Sequence, residues 1–150
     1  MLNLEGLTGW NVFSSPELQD DVKFISELID DIASEYQVDL ARVYASGLSN
    51  GAGMSLTLGD KLSDRIAAIA TVAHPAGLPA VDEFPILDPG RPLPVLTIHG
   101  TTDLIVPFAG GQSIVPDIEV TFPSSREAIQ FWVDYNNCMG DPKGARSYIC

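Results

Sequence analysis

The pentapeptide Gly47-Leu48-Ser49-Asn50-Gly51 sets a serine between two glycines, where strand-forming residues give way to a helical pattern. A strand-to-helix bend that tight calls for small residues on both sides of the serine, which accounts for both glycines. The bend lifts the hydroxyl clear of the sheet, at the positive end of the next helix, suited to attack on a carbonyl carbon. The main-chain N–H of Asn50 then points at the oxygen on which negative charge develops. The alternative is a Gly/Ser turn without chemistry; the strand before and helix after favour the nucleophile.

A second feature, His99-Gly100-Thr101-Thr102-Asp103, follows a later predicted strand. An ionised aspartate there can orient an imidazole and stabilise its charged form during proton transfer. Its competing reading is a turn aspartate that caps local amides. The order serine, then acid, then histidine is the one expected on a scaffold with this bend. The chain has two histidines, His74 and His99, and both precede Asp103. His99 reads as a structural support of the acid loop. His74 falls on the catalytic side, and a loop residue without a role is the better reading for it. The base of the triad is therefore missing from these residues.

These positions require parallel strands alternating with helices. Ser15, Pro16 and Glu17 read as a helix start, with Leu18, Val22, Ile25, Ile29, Ile32 and Tyr36 on one apolar face. Arg42 to Ser46 reads as a strand, Gly47 to Gly53 as a turn and Met54 to Lys61 as a helix. Ile66 to Val72 and Pro94 to His99 are further strands, separated by a proline-rich excursion from Ala73 to Leu93. Ser124 to Glu127 fits a capping box opening a helix with Ala128, Phe131, Trp132 and Tyr135 on one side. The expected class is α/β: a parallel, doubly wound sheet with flanking helices, whose ligands sit beyond the carboxyl ends of the strands.

The 150 residues suffice for one domain, and their formal charge of −12 argues against nucleic acid and against an anionic membrane surface. No apolar run is long enough for a membrane span, and Met1 to Trp10 lacks the pattern of a signal peptide. The Asp20/Asp21 and Asp30/Asp31 pairs read as helix-end charge and a solvated face, so no metal site is expected. Trp10, Trp132 and Tyr135 read as packing residues rather than a sugar-stacking platform. Cys138 and Cys150 form a poor zinc site; a disulfide and two unpaired thiols both remain open.

Taken together, these blocks resemble the polyhydroxybutyrate-depolymerase-like esterases of the α/β-hydrolase superfamily, relatives of feruloyl and acetylxylan esterases. The resemblance rests on Asp20 to Ile25, on Val38-Asp39 with Arg42-Val43-Tyr44, and on Gly47 to Gly51. It continues through His99 to Asp103 with Val106 to Gly111, then Phe131-Trp132, Asn137 and Cys138. It implies Ser49 as nucleophile, Asp103 as acid, a Cys138–Cys150 disulfide and no cofactor. It also implies an exported enzyme acting on polyester, feruloyl esters or acylated polysaccharide.

Family members carry earlier strands with a His-Gly loop, and a Gly-His motif after the second cysteine. Neither has a counterpart here, which implies a partial domain over residues 1–150, inactive without the later histidine. Loss of the earlier strands predicts an exposed sheet edge and self-association. Two other readings compete: a non-catalytic hydrolase-like binding module, and a serine peptidase of the prolyl-oligopeptidase type.

Overall fold

A computed structural model describes residues 9–12, 14–75, 87–114 and 120–138. Three strands, β1 (Tyr44–Leu48), β2 (Ala68–Val72) and β3 (Val95–Ile98), form a parallel sheet in the order β1-β2-β3. Helix α1 (Asp21–Glu35) precedes the sheet, α2 (Asn50–Lys61) joins β1 to β2, and α3 (Ser125–Tyr135) follows β3. Between β3 and α3 lies a two-stranded antiparallel hairpin, β4 (Gly111–Gln112) with β5 (Thr121–Phe122). The fold class is the expected α/β arrangement.

Register explains where the core lies. Ala45, Ile69 and Val95 are cross-strand partners and share one face with Gly47, Thr71 and Thr97. Met54, Leu56 and Leu58 of α2 and Trp132 of α3 are buried in one cluster with Ile69. Val22, Ile25 and Ile29 of α1 pack against that same cluster. The three helices thus cover the same side of the sheet. The opposite face carries Tyr44 and Leu48, each 64% exposed, with Leu96 and Ile98 beside them. β1 is an edge strand in this sheet.

Helix α2 is buried over eight consecutive residues, Ala52 to Gly59. That stretch is enclosed on every side, by the sheet and by α1 and Val12, and its two polar side chains, Ser55 and Thr57, give their hydroxyls to the Gly51 and Gly53 carbonyls. Its last turn leads directly into Ile66 and β2, with Ile66 N–H bonded to the Leu62 carbonyl at 2.8 Å. This short helical return is what keeps β1 and β2 adjacent and parallel.

Several element boundaries differ from the pattern. The first helix begins at Asp21, with Asp20 as its N-cap accepting from Lys23 N–H, and Ser15 to Gln19 lie in a turn. The cause is the buried Asn11 side chain, which accepts from Ser15 N–H and donates to the Ser15 and Gln19 carbonyls. A backbone satisfied in this way does not enter the helix. The first strand runs two residues further than expected, to Leu48, and the helix after it starts at Asn50 rather than Met54. Gly51 and Gly53 are helical, not part of a loop. Most of the proline-rich excursion, residues 76–86, falls outside the described residues.

Candidate active site

Ser49 follows β1 directly and has φ 52° and ψ −118°, a combination an L-residue rarely adopts. Its N–H bonds the Val72 carbonyl at 2.9 Å, and its own carbonyl accepts from Ala52 and Gly53. The chain is thereby fixed on both sides of the strained residue. Ser49 occupies the N-cap of α2, a position where serine ordinarily caps its helix, yet its side chain makes no capping bond. Ser49 is solvent-exposed. As the first residue of α2, Asn50 has an N–H with no acceptor inside the helix.

The two flanking glycines are not equivalent. A Cβ on Gly47 would lie 2.1 Å from both the carbonyl carbon and oxygen of Gly51, and 2.6 Å from Ala52 N. A Cβ on Gly51 would meet nothing within 4 Å. Only the first glycine is therefore required by the bend. Gly51 matters through its backbone, which occupies the space a side chain at 47 would need.

Asp103 lies beyond β3, two strands from Ser49 and on the same carboxyl-end rim of the parallel sheet. Its Oδ1 accepts from Ile105 N–H and Val106 N–H, each at 2.9 Å. Oδ2 stands 3.5 Å from His99 Nε2, and the side chain is 18% exposed. The Val106 N–H first, then the Ile105 N–H and His99, hold the carboxyl below its usual range, against an opposing contribution from burial. One carboxylate oxygen thus ties the loop, while the other faces the His99 ring.

His99 is held from two sides and its side chain is 1% exposed. Nε2 lies 2.9 Å from the Val106 carbonyl, an acceptor only, so Nε2 carries the proton and donates there. Nδ1 then accepts from the Ser125 hydroxyl at 2.6 Å. Ser125 N–H bonds the Phe108 carbonyl, and the Phe108 ring meets the His99 ring edge-on at 5.8 Å. The acid loop is a closed unit pinned to the first turn of α3. That turn carries both halves of the capping box expected for Ser124 and Glu127.

His74 follows Ala73, a second non-glycine residue at positive φ (51°), just past β2. Its Nδ1 bonds the Pro75 carbonyl at 2.8 Å, and its Nε2 would lie 3.5 Å from a Cβ built on Gly53. Burial lowers its pKa, with the Pro75 carbonyl acting in the opposite sense. Neither histidine hydrogen-bonds Ser49, and none joins it to Asp103 among the described residues.

The sequence offered no sign of the role of the segment before α1. Trp10 N–H donates to Asn50 Oδ1 at 2.7 Å, and Asn50 Nδ2 donates back to the Trp10 carbonyl at 3.2 Å. Trp10 was expected in the packing; it is 41% exposed, whereas Trp132 is 2% exposed and does pack, touching Phe131 and Tyr135. Cys138 is in a disulfide, and Cys150, its expected partner, lies outside the described residues. Among the described residues no group of three or more His, Cys, Asp or Glu side chains could hold a metal ion. No described helix is long and apolar enough to cross a membrane.

A strained, exposed serine between a strand and a buried helix, with an acid on the same rim, is the arrangement that family comparison can place. A profile of the phospholipase/carboxylesterase family of α/β-hydrolases matches residues 11–123. The chain belongs to that family. Feruloyl esterase B of Piromyces equi is 38% identical over 135 residues, 89% of this chain and 25% of that protein. The putative esterase NocK of Nocardia uniformis subsp. tsuyamanensis is 36% identical over 71% of this chain and 32% of its own length. The bifunctional acetylxylan esterase/xylanase XynS20E of Neocallimastix patriciarum is 28% identical over 69% of this chain and 14% of its own. The chain thus spans a third or less of each of these relatives.

Proposed function

We propose that this chain carries the nucleophile and acid of a serine carboxylesterase whose substrates are hydroxycinnamoyl or acetyl esters of polysaccharide. The observation that carries the reading is Ser49: strained, exposed, at a helix N-cap, and with its hydroxyl not used for capping. Ser49 Oγ attacks the ester carbonyl carbon as an imidazole takes its proton, and Asn50 N–H stabilises the developing oxyanion. The tetrahedral intermediate collapses with loss of the alcohol, which takes that proton. Water then attacks the acyl-serine and releases the acid.

Asp103 orients the imidazole and stabilises its charged form. Its lowered pKa keeps it ionised at neutral pH for that purpose. The imidazole is neither His74 nor His99, since each is committed to local carbonyls and His99 is enclosed. No cofactor is needed for this sequence of steps. The disulfide at Cys138 supports an oxidising, extracellular setting. The similarity to feruloyl and acetylxylan esterases favours those esters over polyester, and favours an esterase over a non-catalytic module or a peptidase.

The test is product release, followed by chromatography, from methyl ferulate, acetylated xylan and a 3-hydroxybutyrate oligomer, with imidazole supplied in solution. Hydrolysis of the first two above the Ser49→Ala level is the expected result. Equal rates for the chain and for Ser49→Ala with every substrate would refute the assignment.

A further inference from the structure

Trp10 shows an unusual combination: an exposed indole on a main chain tied down at every turn. The Asn50 amide clamps Trp10 through two hydrogen bonds spanning 40 residues of sequence. The next residue, Asn11, is buried, gives its N–H to Asp21 Oδ2 at 2.7 Å and knots the following turn through its own side chain. Val12 gives its carbonyl to the Thr57 hydroxyl at 2.7 Å and packs against the core cluster. Three independent tethers therefore fix a short segment whose largest apolar side chain faces solvent.

Fixing a backbone costs conformational entropy, and leaving an indole in water forgoes the burial that would offset it. The arrangement makes physical sense where a flat ligand covers the ring, because a rigid aromatic gives contact area at low entropic cost on binding. The clamp also sets the location. Asn50 is the residue immediately after Ser49, so the Trp10 main chain is held one side-chain length from the Asn50 backbone.

We infer that Trp10 is a specificity residue, a stacking platform for the aromatic acyl group of the ester that Ser49 attacks. The inference rests on the esterase reading and extends it by naming how an aromatic acid is distinguished from a saturated one. A π face recognises a ring by offset stacking, which a saturated ring of equal size does not provide. Asn50 acts as the positioning residue: its main chain serves the oxyanion and its side chain places the platform.

The experiment is an NMR titration of the whole chain with methyl ferulate and with methyl 3-cyclohexylpropanoate, a saturated analogue of similar size. The chain should bind methyl ferulate more tightly. Trp10→Ala should weaken methyl ferulate roughly tenfold, the upper end of what aromatic pairing supplies, with a much smaller change for the saturated ester. Trp10→Phe should retain most of the affinity, which separates stacking from a folding defect. Equal affinity of Trp10→Ala and the unaltered chain for methyl ferulate would overturn the inference, as would equal weakening for both esters.

Labelling of Ser49 by an aliphatic fluorophosphonate, in the presence of imidazole, separates the two levels of the argument. Normal labelling together with unchanged methyl ferulate binding in Trp10→Ala removes the platform and leaves the esterase. Absence of labelling in the unaltered chain removes both.

Discussion

Replacing Gly47 by alanine should be among the most damaging single-methyl changes this chain can undergo, and replacing Gly51 should not. The added Cβ at 47 would sit 2.1 Å from two backbone atoms of Gly51 and 2.6 Å from a third backbone atom. No side chain can swing away, so either β1 or the first turn of the buried helix α2 must move. Overpacking a core costs about 1–3 kcal/mol when side chains can adjust; with backbone against backbone, the cost should reach or exceed the upper end, about 3 kcal/mol. Domains have about 5–15 kcal/mol of total stability, so that is a large fraction. At Gly51 a Cβ meets nothing within 4 Å and φ is not positive. The higher helix propensity of alanine should then stabilise by up to about 1 kcal/mol. Urea unfolding followed by far-UV circular dichroism measures both changes as midpoint shifts at constant slope. A Gly47→Ala chain within about 1 kcal/mol of the original, or a Gly51→Ala chain as damaged as Gly47→Ala, would refute the steric reasoning.

Other outcomes follow from the same contacts. Ser125→Ala strips the hydroxyl from buried His99 Nδ1, leaving an unsatisfied acceptor at a cost of about 1–3 kcal/mol; calorimetry should show it, while Ser124→Ala acts only through the helix cap. Burial depresses the folded pKa of His74 below the unfolded 6.5, so the unfolded chain takes up the proton first. Stability is fully present above that value and falls with decreasing pH toward the folded pKa, and His74→Leu should flatten this decline in urea midpoints between pH 7.5 and 5.5. Asp103 contributes stability that is lost as pH falls from 3.8 through its lowered folded value, a loss Asp103→Asn should not show. The uncovered sheet face with Tyr44, Leu48, Leu96 and Ile98 beside an edge strand should drive self-association. Sedimentation velocity should show mass growing with concentration and Leu48→Lys reducing it; a concentration-independent monomer would contradict this.

The parts of the molecule written in local pattern were legible in the sequence. The positions of Ser49 and Asp103, just past two parallel strands, were readable because each follows a short run of strand-forming residues. The Ser124/Glu127 capping box is a four-residue signal, and the structure forms both halves of it. What escaped depends on contacts distant in sequence. The helix start at Asp21 is decided by the Asn11 side chain, not by the local Ser-Pro-Glu pattern. The two-residue strands of the β4–β5 hairpin are too short to show a period. Trp10 looked like a packing residue because its composition says apolar; its exposure follows from a clamp by a residue 40 positions away. The symmetry of the two glycines around Ser49 was misleading for a similar reason, since only coordinates reveal which one faces backbone.

The most direct test of the account is peptide mapping by mass spectrometry after exposure of the chain to a fluorophosphonate, with and without imidazole. A single adduct on Ser49, accelerated by imidazole and slowed by Asp103→Asn, is the predicted result. Adducts scattered over several serines, or an unmodified Ser49 beside modified ones, would contradict it.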